Sequence, residues 1–350
     1  MNSEYNSLYC FIPPYILDHM TNSKITKVRE AAIKTIASSS QTRERRRTLS
    51  TMALMAAIPS PERKKHRLVY DMQEEEYSLP GKLVRSEGQK KVKDKAVNEA
   101  YDYSGLTYDF YSQLFGRNSL DNGGMSLISS VHYGARINNA FWDGEQMLYG
   151  DGDTDTFIRF TKSLDVVGHE LTHGVISFES NLEYRDEPGA LNESFADVMG
   201  ALVQHWSKKQ PVHRADWRIG EAIMGNKTTS KCLRTFTPEK AFEDDELLGT
   251  DPQPKHMSDQ YTGSADRGGV HINSGIPNCA FYHVAMELGG NAWEKAGAIW
   301  YQTLRNLNRY SSFQDAANET YKVAGTLFSS GEQKAVEQGW RAVGISITVM

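Results

Sequence analysis

The sequence predicts an α+β protein of two lobes, with a small segment ahead of them. Three observations predict it. Between about residues 67 and 160 the chain is rich in Tyr, Val and Gly, carries Asn122-Gly123 and Asp143-Gly144 turn signals, and alternates partly in polarity over Ser126 to Asn138, as strands do. From Ser163 onward apolar residues recur mostly at helical spacing. Charge is uneven: residues 1–50 hold eight Lys or Arg against four Asp or Glu, a net of +4, which leaves −9 for the rest of a chain of net charge −5. A basic segment of this kind could be drawn to the acidic body, or it could be a basic tail with no target.

In chain order, Phe11-Ile12-Pro13-Pro14-Tyr15-Ile16-Leu17 reads as an extended apolar patch stiffened by its prolines. Ile25, Val28, Ala32 and Ile36 follow at helical spacing. The run Ser38-Ser39-Ser40-Gln41-Thr42 and then Arg43 to Arg47 reads as a flexible, protease-sensitive linker, with a second turn-rich stretch from Pro59 to Lys65. A helix is expected around Asp94 to Leu114. Further helices are expected over Ile276 to Leu288, Ala292 to Asn306 and Ser312 to Ser329. The expected units are 1–55, 66–183 and 184–350.

A chain of 350 residues that is 39% hydrophobic and 24% charged can bury a sizeable core in two or three domains. No run of eighteen apolar residues occurs, so no membrane span is expected. Met1 to Met20 has no Lys or Arg, no continuous apolar run and a central Pro-Pro, which does not read as a Sec signal. Nucleic-acid binding is disfavoured, because the body is acidic and the basic cluster lies in the linker. Cys10, Cys232 and Cys279 make an odd total and imply no disulfide framework.

Chemistry concentrates in His169-Glu170-Leu171-Thr172-His173. Two histidines four apart lie on one helix face, so both imidazoles can reach one Zn²⁺, and Glu170 can reach a water on that metal. A catalytic zinc needs a third protein ligand. Glu193 can supply it from a second helix marked by Leu191, Phe195, Val198, Met199 and Leu202, although it also reads as a solvated helix Glu. Asp197, one turn on, can accept the spare N–H of a ligating histidine. His271, in a glycine-rich stretch, could donate to an oxyanion with Asp266 orienting it, or it could be structural.

The chain resembles the thermolysin family of zinc endopeptidases from about Asp102 to Gly344. The resemblance is carried by GHELTHGV (168–175), NESFAD (192–197), DRGGVHINSGI (266–276) and NNAFWDGEQMLYGDGD (138–153). It implies the thermolysin-like fold: a β-rich lobe, a helical lobe and the HELTH helix between them. It implies His169, His173 and Glu193 as zinc ligands, with Asn192 and Asp197 behind them, Glu170 as general base, and His271 and Tyr184 as oxyanion donors with Asp266 behind His271. Asn139 and Ala140 match the edge strand that pairs with substrate. Arg234 matches the arginine on the carbonyl beyond the cut. Phe157, Phe160, Val166, Ile219, Ile223 and Leu233 match the pocket for the residue after the cut, implying a preference for Leu, Ile or Phe. Plain core packing would equally account for these six.

The first residues resemble the short propeptide of the protealysin-like branch of that family. The resemblance implies that Pro13, Pro14 and Tyr15 block the primed side of the cleft, and that cutting within 43–65 frees the enzyme. Expected partners are peptide or protein substrates and the chain's own propeptide, for a monomer exported without a Sec signal or kept in the cytoplasm. The calcium cluster of the better-known relatives is matched at Asp165, Asp216 and Glu221, but Gln204 and Arg218 stand where the family has glutamates, so calcium is expected to be absent or weak. Asp151, Asp153 and Asp155 read as a turn. Cys10 could touch the zinc or pack as a small apolar residue. The rival readings are a catalytically silent peptide-binding relative and a structural zinc.

Overall fold

The computed structural model describes residues 9–52 and 64–348. The described chain begins as a two-residue strand, β1 (Tyr9–Cys10), then α1 (Pro14–Met20) and α2 (Thr26–Met52). Next come β2 (Arg67–Asp71), β3 (Lys82–Ser86), α3 (Lys95–Phe115), β4 (Leu127–Val131), β5 (Ala140–Trp142) and β6 (Met147–Tyr149). These strands form one sheet in the order β1-β5-β6-β4-β2-β3. β4 runs parallel to β2 and β6, and the other pairs are antiparallel. The N-terminal segment is thus hydrogen-bonded onto the sheet at its β5 edge. α3 starts where expected because Asp94 caps it, accepting from Ala96 N at 2.8 Å, and it ends at the left-handed Gly116.

The long α4 (Leu164–Phe178) and α5 (Asp186–Lys208) follow. They cross closely because Gly168 and Gly200 meet at the crossing: a Cβ on Gly200 would lie 2.5 Å from Asp165 O and 2.9 Å from His169 N. The β7 (Arg218–Ile219) and β8 (Arg234–Thr235) hairpin leads to α6 (Asp266–Asn273), α7 (Gly275–Leu288), α8 (Lys295–Asn306), α9 (Phe313–Leu327) and α10 (Ser330–Ala342). The architecture is the expected one, a sheet lobe and a helical lobe joined by α4. Among the described residues no helix is long and apolar enough to cross a membrane.

Two expectations are corrected, and one helix was not foreseen. Ser38 to Arg47 is not a loop: α2 runs through it to Met52. The hydroxyls of Ser39 and Thr42 bond back to the carbonyls one turn earlier, at 2.7 and 3.0 Å, and Ser38, Ser39 and Thr42 are buried against the body. Apart from Lys64 and Lys65, the Pro59–Lys65 stretch lies outside the described residues. The expected strand over Ser126–Asn138 stops at Val131, because His132 (φ 54°) and Gly134 (φ 62°) turn the chain. Helix α10 was not foreseen; its buried Ala335, Val336, Gly339 and Trp340 share one face.

Candidate active site

Helix α4 carries His169, Glu170 and His173, all fully buried. The two Nε2 atoms lie 3.0 Å apart, and the Glu193 carboxylate on α5 lies 3.5 Å from one and 3.4 Å from the other. A tetrahedral zinc with ligands about 2.0–2.1 Å away keeps donor atoms about 3.3 Å apart. The three side chains therefore fit a common ion with a fourth position left open. A ligand atom of Glu170 also lies within 4.8 Å of both imidazoles. That carboxylate, however, accepts from Trp142 N at 3.0 Å through Oε2, while Oε1 is buried with no partner among the described residues.

The imidazoles are held in the orientation a metal needs. His169 Nδ1 pairs with Asp197 at 2.8 Å and His173 Nδ1 with Asn192 at 2.9 Å, leaving both Nε2 lone pairs toward Glu193. Asn192 itself donates to Leu182 O at 3.2 Å. Burial pushes the His169 pKa down to about 4, against the pull of Asp197, so the ring is neutral as a ligand must be. Burial, then the charge of Glu193, raises Glu170 well above the usual carboxylate range. Glu193 itself is held well below it, because the three surrounding histidines outweigh its burial.

His271 reaches the site from α6. Asp266 positions it twice, accepting from His271 N at 2.6 Å and pairing with Nδ1 at 2.7 Å. This double grip accompanies a left-handed run, Asp266 to Gly269 with φ between 50° and 85°, where glycine at 268 and 269 avoids the strain a side chain would bring. Burial would lower the His271 pKa, but Asp266 and Glu193 outweigh it and hold it well above the ordinary value. Tyr184 donates to Glu193 and lies 3.0 Å from His271 Nε2.

The chain's own N-terminal segment lies across Asn139, Ala140 and Arg234. Phe11 N donates to Ala140 O at 3.2 Å and Ile12 N to Asn139 Oδ1 at 2.8 Å, while Arg234 Nη1 donates to Phe11 O at 3.0 Å. The Phe11 ring is fully buried, edge-on to His169 at 5.2 Å and to Phe160 at 6.5 Å, in one core cluster with Phe157, Val166, Ile219, Ile223 and Leu233. Cys10, Phe11 and Ile12 make these backbone contacts, and the buried Tyr15 hydroxyl lies within reach of the charges of Arg234, Asp266 and Asp197. Pro13 sits at the α1 N-cap, while Pro14 and Tyr15 open that helix, because proline fits a helix start but cannot donate to a strand. Cys10 Sγ points back to Ile12 O at 3.7 Å, while its carbonyl oxygen lies 3.2 Å from His271 Nε2. Phe11 and Ile12 were visible in the sequence only as an apolar pair before Pro-Pro. Asn278, which donates to Asp197 at 2.9 Å, gave no signal.

Away from the cleft, Arg218 binds Asp216 at 2.8 Å and Glu221 at 2.9 Å. Asp165 accepts from Gly220 N at 2.7 Å. Asp153 is a turn, accepting from Asp155 N and Thr156 N at 2.8 and 2.6 Å.

The family model described as the thermolysin metallopeptidase catalytic domain matches residues 39–177, and that of the alpha-helical domain matches 180–345. An extracellular metalloprotease of Pectobacterium carotovorum subsp. carotovorum is 43% identical over 343 residues, 96% of each chain. Protease PrtS of Photorhabdus sp. (strain Az29) is 49% identical over 287 residues, 81% of this chain and 77% of that one. The precursor of protealysin, a metalloproteinase from Serratia proteamaculans, superimposes with a TM-score of 0.88 at 45% identity, covering 97% of this chain and 100% of that one. With both domain models matched in sequence around a buried His-Glu-His cluster, the chain belongs to the thermolysin family of metallopeptidases and is a metalloendopeptidase.

Proposed function

We propose that the chain is a zinc-dependent endopeptidase held latent by its own N-terminal segment. One observation carries the reading: a peptide lies antiparallel to β5, with a carbonyl beside His271, the next carbonyl on Arg234, and an apolar ring buried between them. His169, His173 and Glu193 hold the zinc, which when bound brings a water's pKa near 7 and polarises a peptide carbonyl. Glu170 takes the water's proton and delivers it to the leaving amine. His271, oriented by Asp266, and Tyr184 donate to the carbonyl oxygen as it gains charge. Asn139 and Ala140 hold the substrate backbone, and Arg234 holds the carbonyl after the cut.

Phe157, Phe160, Val166, Ile219, Ile223 and Leu233 receive the side chain after the cut. All are buried and apolar, so Leu, Ile and Phe are preferred, though a methylene in such a pocket is worth only about 1–3 kcal/mol. In the latent form residues 10–12 fill this path, and Pro13, Pro14 and Tyr15 turn the chain out of it into α1. Arg218 neutralises Asp216 and Glu221, so no double calcium site forms beside the zinc. The extracellular relative from Pectobacterium supports a site of action outside the cell.

The test is to remove the N-terminal segment by limited proteolysis and supply peptides with Leu, Ile or Phe. The expected result is chelator-sensitive cleavage before those residues, abolished in Glu170→Ala although zinc stays bound. Peptides bound but uncut would favour the silent relative. Loss of zinc from Glu170→Ala would reject the ligand set.

A further inference from the structure

The N-terminal segment is not merely an obstruction; it lies in the direction and register of a substrate. Each polar group from the Cys10 carbonyl to the Ile12 carbonyl has a partner in the cleft. His271 Nε2 is 3.2 Å from Cys10 O, Phe11 N donates to Ala140 O at 3.2 Å, and Arg234 donates to Phe11 O at 3.0 Å. Asn139 grips Ile12 twice, at 2.8 Å from its N–H and 3.3 Å from its carbonyl. The Phe11 ring occupies the apolar pocket edge-on to His169, and the carbonyl of the Cys10–Phe11 amide faces His271. Glu170 Oε1 is buried beside the histidine pair with no partner among the described residues.

We propose that Cys10–Phe11 is a self-cleavage bond, and that cutting it leaves the enzyme latent. The proposal rests on the reading of the site given above. In the step, water adds across the amide: its oxygen bonds to the Cys10 carbonyl carbon and the C–N bond breaks. Glu170 carries both of the water's protons, one after the other, to the departing nitrogen, so the products are a Cys10 carboxylate and a Phe11 ammonium. The cleft does not open, because the product that begins at Phe11 is anchored elsewhere. Phe11, Ile12, Ile16, Leu17, Met20 and Val28 are buried in the core, and α2 follows them. The new ammonium keeps the place of the Phe11 N–H on Ala140 O and gains Glu170 as a counter-charge. Activation then requires a second cut, beyond the docked part of α2.

The test follows full-length protein after zinc loading by intact-mass and N-terminal analysis, alongside cleavage of an added Phe-containing peptide. The expected result is loss of residues 1–10 and a new N-terminus at Phe11. It should appear at a rate independent of protein concentration and without a rise in peptide cleavage. Glu170→Gln should stay uncut even when mixed with wild type. A readout free of metal comes from chelator-treated protein: the Phe11 and Ile12 amides should resist hydrogen exchange, and Asn139→Ala should speed exchange at Ile12 alone. Fast exchange at both amides in the wild type overturns the register. An intact 10–11 bond in a preparation that cuts added peptides once the segment is removed overturns self-cleavage and leaves the endopeptidase reading standing. A cut at 10–11 accompanied by rising peptide cleavage overturns the latent product. A preparation that cuts no peptide at all rejects the endopeptidase reading itself, and this one with it.

Discussion

Asp197 shows how much one side chain can hold. It pairs with His169 Nδ1 at 2.8 Å, accepts from Arg234 Nε at 2.9 Å and Nη2 at 2.8 Å, and from Asn278 at 2.9 Å, and it is fully buried. Burial would raise its pKa, but Arg234 and His169 hold it well below the carboxylate range. Asp197→Ala should weaken zinc binding by roughly 10–100-fold, since His169 loses its orienting acceptor. It should also cost about 3–5 kcal/mol, because Arg234 is left buried and unpaired. Zinc competition and urea unfolding measure the two effects separately; unchanged zinc affinity would show that His169 is oriented by something else. The link to His169 was legible because Asp197 lies one turn from Glu193. Arg234 and Asn278, 37 and 81 positions away, could not be read, since only the fold brings them there. A second residue outside the cleft carries a pH dependence. His132 is pinched between Asp151 at 2.6 Å and Asp94 at 2.9 Å, and the bond to Asp151 leads in raising its pKa to about 9 against the effect of burial. A folded pKa above the ordinary 6.5 contributes stability that is whole below that pH and is lost as pH rises toward 9. In a Glu170→Gln background, which avoids self-digestion, Tm should fall between those pH values. His132→Asn should flatten the fall, and equal slopes would discard the pairing as its cause.

At the scale of elements, the site depends on how closely α4 and α5 approach, since one carries the histidines and the other Glu193. Gly200→Ala would press a methyl group into Asp165 O and His169 N, both backbone atoms that cannot swing away. The expected cost is about 1–3 kcal/mol, with zinc affinity falling as the helices separate. Gly331→Ala is the control: its Cβ meets only Ser329 Oγ at 3.6 Å, so stability should hold or rise slightly. Thermal unfolding of both variants checks the contrast, and equal behaviour would remove the crossing from the argument. These two helices were legible because their apolar stripes are long and regular. α2 was legible only in its first half. Its second half is written in serine and threonine, which favour turns in isolation. Here they line a buried face: the hydroxyls of Ser38 and Thr42 lie 3.4 and 3.3 Å from the Tyr133 hydroxyl. A short polar side chain on a buried helix face looks like a linker until its partner surface is known.

At the scale of the whole molecule, the question is what holds the basic N-terminal segment on the acidic body. The charge balance suggested attraction at a distance. Among the described side chains, however, the contacts assign most of the hold to apolar burial. Lys27–Asp155 at 3.7 Å, Lys34–Glu76 at 3.4 Å and Arg136–Glu30 at 3.6 Å each have at least one partner 39% or more exposed, and pairs of that kind contribute little and are screened by salt. Phe11, Ile12, Ile16, Leu17 and Met20 are instead almost wholly buried, Phe11 completely, under Arg234 and against His169. Burying a large apolar side chain is worth several times a screened ion pair. The register of this docking was out of reach of the sequence, because it pairs residue 12 with residue 139 and no local pattern encodes that match. Raising NaCl to about 1 M, where the Debye length is about 3 Å, should therefore leave the enzyme latent. Phe11→Ala should do the opposite at low salt. Losing about 3 kcal/mol of packing would raise the undocked fraction roughly a hundredfold and bring premature peptide cleavage. Peptide hydrolysis by the uncut protein, read across a salt series for both forms, decides the matter. Activity that climbs with salt in the wild type while Phe11→Ala stays silent would return the hold to electrostatics.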